Sequence, residues 1–441
     1  MTANVAVRVI DAVAAILAAR ALGPANRGVL AAALLWPTLV LSGGSLMGLS
    51  TVAYFGARRG TRALRTCFEM AVALALLLTA ISLTINWALL AQRNPAAYAH
   101  ANWYTLMIPL AVVGNVFAGA LIADGRVEAL WATRLTGAVA RTAPVVALAV
   151  VGALTVRWYV WLSVAGVAAT ALGAAALRSG VLARRVEEPP SEPTEGRDIL
   201  AFGARTMLTV MPAQLHQRID QLMMSVALPA VVLGQYTVAF TWSSAVHVIG
   251  AGMAVVVLTR SVRSNVGDPK SVQAATARVR RASALAIATA VLAAVSAPLG
   301  IPLVFGGQFA DAVVPAVLLS LAAGLVSWKS FLHEFARALG QPSLGRLPEV
   351  LGLGASAVAL AVLLPALGGT GAAMAAILSY IVVVVSFIHR IQDSTRHLAR
   401  GALWPRTDDL WDVGKSAVSF LRHPRGWRRQ RHRDVEASGS V

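Results

Sequence analysis

Of the ionisable side chains that stand inside long apolar stretches of this 441-residue chain, seven have the types and placement to do chemistry: Arg8 and Asp11, Arg141, and then Arg205, His216, Arg218 and Asp220. A charge at the centre of a bilayer costs about 2.5–3.5 kcal/mol on insertion scales, so such groups persist where a partner or a wet cavity receives them. Guanidinium groups grip phosphate oxygens two at a time. Arg8, Arg141, Arg205 and Arg218 are therefore candidate ligands for an anionic, diphosphate-like head group, and Asp11 and Asp220 are candidate coupling-ion or gating carboxylates. Arg8 and Asp11 lie three residues apart and share a helix face. Arg218 and Asp220 lie two apart and point to opposite sides, so each needs its own partner. The plainer alternative stays open: structural ion pairs closing the helix bundle, with Arg8 and Arg205 reaching to the interface.

Other chemistry is poorly represented. The chain has no Gly-rich phosphate loop with Lys, no His-Glu-x-x-His and no Gly-x-Ser-x-Gly. A single cysteine, Cys67, excludes an internal disulfide and a cysteine-based metal site, and no cofactor or other metal site is expected. His247 is a conceivable proton carrier but reads more simply as a packing residue. Asp124, Arg126 and Glu128, Glu334 with Arg337, and Lys329 with His333 have the spacing of helix-end salt bridges or an inner gate.

The elements that must position these residues are membrane helices. Hydrophobic residues make up 57% of the chain, charged residues only 13%, and mean hydropathy is +0.68, which excludes an ordinary cytosolic enzyme. Apolar runs bounded by charge, Pro and Gly predict about twelve transmembrane helices, near 4–22, 30–55, 67–90, 103–123, 133–153, 158–177, 199–228, 235–258, 282–303, 312–332, 347–366 and 371–389. The run at 199–228 is long enough to be tilted, kinked at Pro212 or partly interfacial. Charge inside the first run argues against a cleavable signal peptide.

The net charge of +18 is explained by topology. The loops that follow even-numbered spans, with the C-terminal tail, hold 29 of the 38 Lys and Arg residues, whereas the odd-numbered loops hold three: Arg27, Arg93 and Arg157. Basic residues are retained on the cytoplasmic side in short loops. Both termini are thus expected in the cytoplasm and the span count even, with no role for nucleic acid.

An internal repeat organises the spans. ALGPANRGVLAAALLW at 21–36 matches ALPAVVLGQYTVAFTW at 227–242, so that Gly28 and Trp36 correspond to Gly234 and Trp242. Both stretches join the first and second spans of a half. The domain reading is an N-terminal six-helix bundle at 1–180, a Pro- and Glu-rich cytoplasmic linker at 181–198, a C-terminal six-helix bundle at 199–390, and a basic tail at 391–441. In the tail Leu410, Trp411, Ala417, Val418 and Leu421 share one helical face ahead of a basic run around Trp427, a pattern suited to an interfacial helix on anionic lipid.

The segment AARALGPANRGVLAAALLWPTLV at 18–40 and the segment QRIDQLMMSVALPAVVLGQYTVAFTW at 217–242 resemble signatures of oligosaccharide flippases of the polysaccharide-biosynthesis type. These belong to the multidrug/oligosaccharidyl-lipid/polysaccharide (MOP) exporter superfamily. The resemblance covers residues 1–390 and implies an all-α integral membrane protein of two pseudo-symmetric six-helix bundles. It implies transfer of an undecaprenyl-diphosphate-linked glycan from the inner to the outer leaflet of a bacterial cytoplasmic membrane by alternating access, with no catalytic residues. Glycosyltransferases or a polymerase of the same pathway are implied as partners. Two departures stand out: the chain starts almost inside its first span, and its tail exceeds what a transport core needs. A cation-coupled drug antiporter of the same superfamily is the nearer rival; it would favour acidic cavities. A membrane-embedded glycan polymerase or ligase is the more distant one, since it would need an outer loop larger than 91–102.

Overall fold

The computed structural model describes the backbone of residues 2–182, 196–262, 269–395, 401–406, 408–409 and 411, and its described side chains begin at Ile10. Among these residues every regular element is helical. In chain order they are α1 (Thr2–Ser42), α2 (Leu49–Leu90), α3 (Pro95–Thr105), α4 (Met107–Ala123), α5 (Val127–Val150), α6 (Val156–Leu182), α7 (Gly196–His216), α8 (Ile219–Ala227), α9 (Ala230–Val262), α10 (Pro269–Phe305), α11 (Val313–Ala338) and α12 (Arg346–Ser394), with short 3-10 turns at Gly43–Met47, Gly307–Ala312 and Pro342–Gly345.

Several helices are two legs joined at a break. α1 turns at Gly23 (φ 72°), where a side chain would be strained, and Pro24 then opens the second leg. α2 breaks at Gly60 and α12 at Gly368 in the same way. Six stretches of the described residues are long and apolar enough to cross a membrane, among them Ile10–Leu90 and Ser343–Ser394, each containing such breaks. The expected run at 199–228 is interrupted between α7 and α8, not at Pro212, which stays inside α7. Arg218 there leaves helical geometry (φ −128°, ψ −5°) and becomes the N-cap of α8.

Two other expectations shift. The turn at Gly23 starts the second leg of α1 earlier than the expected 30, so Arg27 lies inside a helix and not in a loop. α6 extends to Leu182 and α7 begins at Gly196; the rest of the expected linker, 183–195, lies outside the described residues, as does the tail's proposed amphipathic face apart from the exposed Trp411.

The chain forms two compact units, discontinuous in sequence. The first comprises Met1–Trp242, Ser296–Leu319 and Glu349–Ser379. Its core is built from Leu22, Leu30, Met47, Val52, Phe55, Val112 and Val116, and Ile199 at the start of α7 is part of it. Small residues let its helices approach closely. A Cβ on Gly203 would lie 2.1 Å from the Leu46 carbonyl oxygen, and Phe202 stacks on Tyr54 at 4.9 Å.

The second unit comprises Ser243–Val295, Ser320–Pro348 and Tyr380–Val441. Trp328, Phe331, Phe335 and Phe387 fill its core. Part of the tail belongs to this core: Leu403 is fully buried, and Trp404 packs edge-on against Trp328 at 5.3 Å. Asp409, 1% exposed, accepts from Arg280 Nε at 2.8 Å and from the Arg406 backbone N–H. Glu334 pairs with Arg337 at 3.4 Å as its spacing predicts, while Lys329 lies over the Tyr380 ring and His333 packs edge-on against Phe387.

Candidate functional site

The first unit has a partly open cavity of about 280 Å³. One wall is the second leg of α1, where Leu30, Ala31, Leu34, Leu35, Thr38 and Leu39 recur at helical spacing and form an apolar stripe. The facing wall is polar: Gln214 at the end of α7, Arg218 and Gln221 at the start of α8, and Thr237 and Thr241 on α9, with Phe240 and Tyr159 between. Arg27 is the first lining residue along α1. Among the described residues the lining holds two guanidinium groups and no carboxylate.

The break between α7 and α8 is what turns Arg218 towards this space. Its Nη1 donates to Gln221 Oε1 at 3.2 Å, and its guanidinium carbon lies 4.8 Å from the centre of the Phe240 ring. Gln221 is 2% exposed, so its side-chain nitrogen, which has no hydrogen-bond partner among the described residues, is an unsatisfied buried donor. Arg27 Nε is another. Such donors are costly unless something accepts from them. An anion or the hydroxyls of a sugar in the cavity would do so.

Asp220 lies two residues on, in the first turn of α8. It is buried, accepts from the Tyr236 hydroxyl in a short hydrogen bond, and accepts from the Gln221 backbone N–H at 2.7 Å. It thereby ties α8 to α9. Asp11 does not depend on Arg8 alone, because the structure pairs it with Arg141 across α1 and α5. Both side chains of that pair are partly exposed. The side chain of Arg8 lies outside the described residues, and Arg205 is exposed on α7. Of the four predicted cationic ligands, the structure therefore brings Arg218 to the cavity and Arg141 to an ion pair.

One residue of the cavity lining, Arg27, and one ion-pair residue outside that lining, Glu349, were not singled out from sequence as site residues. Arg27 was masked by its place among the odd-loop basic residues, although its position next to the repeat glycine was a usable signal. Glu349 gave no signal: it meets His216, 133 positions earlier in the chain, at 3.2 Å, while the other ring nitrogen of His216 lies 3.2 Å from Ser379 Oγ. Among the described residues no group of three or more His, Cys, Asp or Glu side chains could hold a metal ion.

Known structures share this architecture. A lipid II flippase, MurJ, in an inward closed conformation superposes with a TM-score of 0.70 at 11% identity, over 89% of this chain and 87% of that one. A multidrug resistance MATE transporter in its inward-facing conformation gives 0.70 at 16% identity, over 89% and 95%. A MATE transporter in an outward-facing conformation gives 0.54 at 14%, over 90% and 94%. No curated protein matches the chain in sequence. The chain thus has the fold of these transporters, one of them of the MOP superfamily, and six stretches of its described residues are long and apolar enough to cross a membrane. Residues 16–314 match the sequence profile of the polysaccharide biosynthesis proteins, and the chain belongs to that family.

Proposed function

We propose that this protein is a flippase that carries a lipid-diphosphate-linked oligosaccharide from the inner to the outer leaflet of a bacterial cytoplasmic membrane. The observation that carries the proposal is the two-sided cavity. Arg27 and Arg218 offer donors to an anionic, oxygen-rich head group, and the leucine stripe of α1 offers an apolar wall to the rest of an amphiphile. Membership of a polysaccharide biosynthesis family supports a glycan cargo. The drug-antiporter reading fits less well, since a cationic drug would meet two fixed cations and no carboxylate in this lining. Alternating access between two six-helix bundles, cytoplasmic termini, and a role as carrier and not as enzyme belong to the same reading. The basic tail would hold anionic lipid, and glycosyltransferases or a polymerase of the pathway would act before and after transport.

Within this reading Arg218 and Arg27 bind the diphosphate first. Arg8, Arg141 and Arg205 serve it at other stages of the cycle, once the Asp11–Arg141 pair has opened. Asp11 and Asp220 are the acids available to a coupling ion or to gating. Arg218→Ala and Arg27→Ala are each expected to lower export about 10- to 100-fold at normal membrane levels, the effect of a charged hydrogen bond of about 1.5–3 kcal/mol. The measurement is lipid-linked glycan accumulating inside the cell against glycan reaching its surface. Wild-type export by both variants would sink the assignment.

A further inference from the structure

The polar groups that line the cavity divide by whether the protein already uses them. Four hydroxyls donate to carbonyls of their own helix: Thr38 to Leu34 at 2.6 Å, Ser42 to Leu39 at 2.6 Å, Thr237 to Gly234 at 2.9 Å and Thr241 to Thr237 at 2.8 Å. What each has left to offer is lone pairs, so it can only accept. Arg218 is held by Gln221 and by the face of Phe240. Tyr159, in the first turn of α6, and Gln214, in the last turn of α7, are different. Among the described residues neither the Tyr159 hydroxyl nor the Gln214 amide has a hydrogen-bond partner, and the Tyr159 ring receives no other ring and no cation. Neither polar group is shut away in the packing.

The chemistry of these two groups is not that of the cations in the same lining. A diphosphate at neutral pH offers acceptors, so it matches a guanidinium but cannot satisfy the Gln214 carbonyl or the lone pairs of Thr38 and Thr241. A sugar hydroxyl is donor and acceptor at once, and so are the Tyr159 hydroxyl and the Gln214 amide. Tyrosine also joins an apolar ring to a polar tip, which fits a pyranose, whose C–H face is apolar and whose rim carries hydroxyls. At about 280 Å³ the cavity lies near the lower end of the roughly 300–1,000 Å³ usual for small-ligand sites, which suits a head group of one or two units and not a long glycan. We propose that Tyr159 and Gln214 form a sugar subsite in the same lining as Arg27 and Arg218, which reads the hydroxyls of the sugar attached to the diphosphate and so selects the cargo. The inference rests on the flippase reading above and adds to it the residues that set specificity.

The test separates sugar binding from diphosphate binding. The purified full chain in detergent is titrated with undecaprenyl diphosphate alone and with the same lipid carrying one glucose, galactose, rhamnose or N-acetylglucosamine. The parent should bind the bare diphosphate lipid and should bind at least one of the sugar-bearing lipids more tightly. Tyr159→Phe removes a single oxygen, and Gln214→Met keeps the length of its side chain. Each should lower affinity for that glycolipid about 3- to 10-fold, the range of a neutral hydrogen bond, with affinity for the bare lipid unchanged. Arg27→Ala should instead weaken both lipids alike. Retained binding of the bare lipid shows that a variant is folded, and Tyr159→Phe decides the matter alone if Gln214→Met does not reach the membrane. Equal loss for both lipids, no loss for either, or a parent that binds every sugar-bearing lipid no better than the bare one would overturn the subsite and leave the diphosphate ligands in place. A parent that binds none of these lipids would remove the flippase reading, and the subsite with it.

Discussion

The two copies of the repeat share their glycines and tryptophans but differ at most positions between them. At the offset that relates Gly28 to Gly234, Arg27 falls opposite Leu233, Leu30 opposite Tyr236, and Leu34 opposite Phe240. Extending the register backwards sets Ala12, Ala14 and Ala15 against Arg218, Asp220 and Gln221. The first copy thus supplies the apolar stripe and one cation, and the second supplies the rest of the polar wall. Where the second leg of α1 crosses the start of α9, glycine is a geometric requirement that binds both copies, because either Cβ would strike a backbone carbonyl. The flanking positions carry no such constraint, and a symmetric scaffold could become a two-faced cavity by changing them alone. That division is what an amphiphilic cargo would need.

The sharpest way to break the comparison is to exchange its most unequal pair. Leu233 is fully buried, so Leu233→Arg should place an unpartnered charge in packed surroundings and remove most of the folded protein from the membrane. Arg27→Leu should leave membrane levels near normal and cost export. Immunoblotting of membranes alongside the export assay separates the two; an exporting Leu233→Arg protein would show the copies to be interchangeable at this position.

Asp220 offers a finer probe. Asp220→Ala would remove the carboxylate that accepts from the Tyr236 hydroxyl and from the Gln221 backbone N–H, and should cost about 1–3 kcal/mol, read as a lowered melting temperature in detergent. Asp220→Asn keeps an oxygen in place and should recover most of that stability. If Asp220 also serves ion coupling, Asp220→Asn will be stable yet lose dependence on the ion gradient; gradient-dependent export by it would confine the residue to a bridging role.

The repeat tryptophans should give the smallest contrast. Trp36 Nε1 donates to Ser225 Oγ at 3.1 Å, whereas Trp242 packs its ring where a Cβ on Gly300 would lie, 2.1 Å from that position. Trp36→Phe should therefore lose about 0.5–1.5 kcal/mol through the missing hydrogen bond. Trp242→Phe keeps a flat ring over Gly300 and should melt closer to the parent.

The sequence conveyed these features unevenly, for physical reasons. Apolar run length and the sorting of basic residues reflect the bilayer itself, so the all-helical membrane fold and its superfamily were legible. The glycine spacing was legible because a backbone crossing tolerates one residue type. Arg27 was misplaced because the charge rule treats any basic residue near an apolar boundary as loop, while the left-handed turn at Gly23 had already begun a new helix. Pairings such as Asp11 with Arg141, or His216 with Glu349, depend on which helices become neighbours across long stretches of chain. Local spacing instead drew attention to Arg8, three residues from Asp11. The anchoring of the tail was hidden in the same way: Asp409 looks like one acid among many basic residues until Arg280 is placed beside it.

That anchoring bears on the order in which the protein is made. Chains emerge from the ribosome N-terminus first, and domains generally fold as they appear. The second unit cannot complete its core on that schedule, because the Leu403 side chain and the carboxylate that balances Arg280 arrive only after α12 has been synthesised. A chain cut short before Leu403 would carry an unbalanced guanidinium and a vacant hydrophobic seat, the kind of defect that cellular proteases detect. Docking of the tail can thus act as a completion mark, distinguishing finished protein from fragments before either is asked to transport anything.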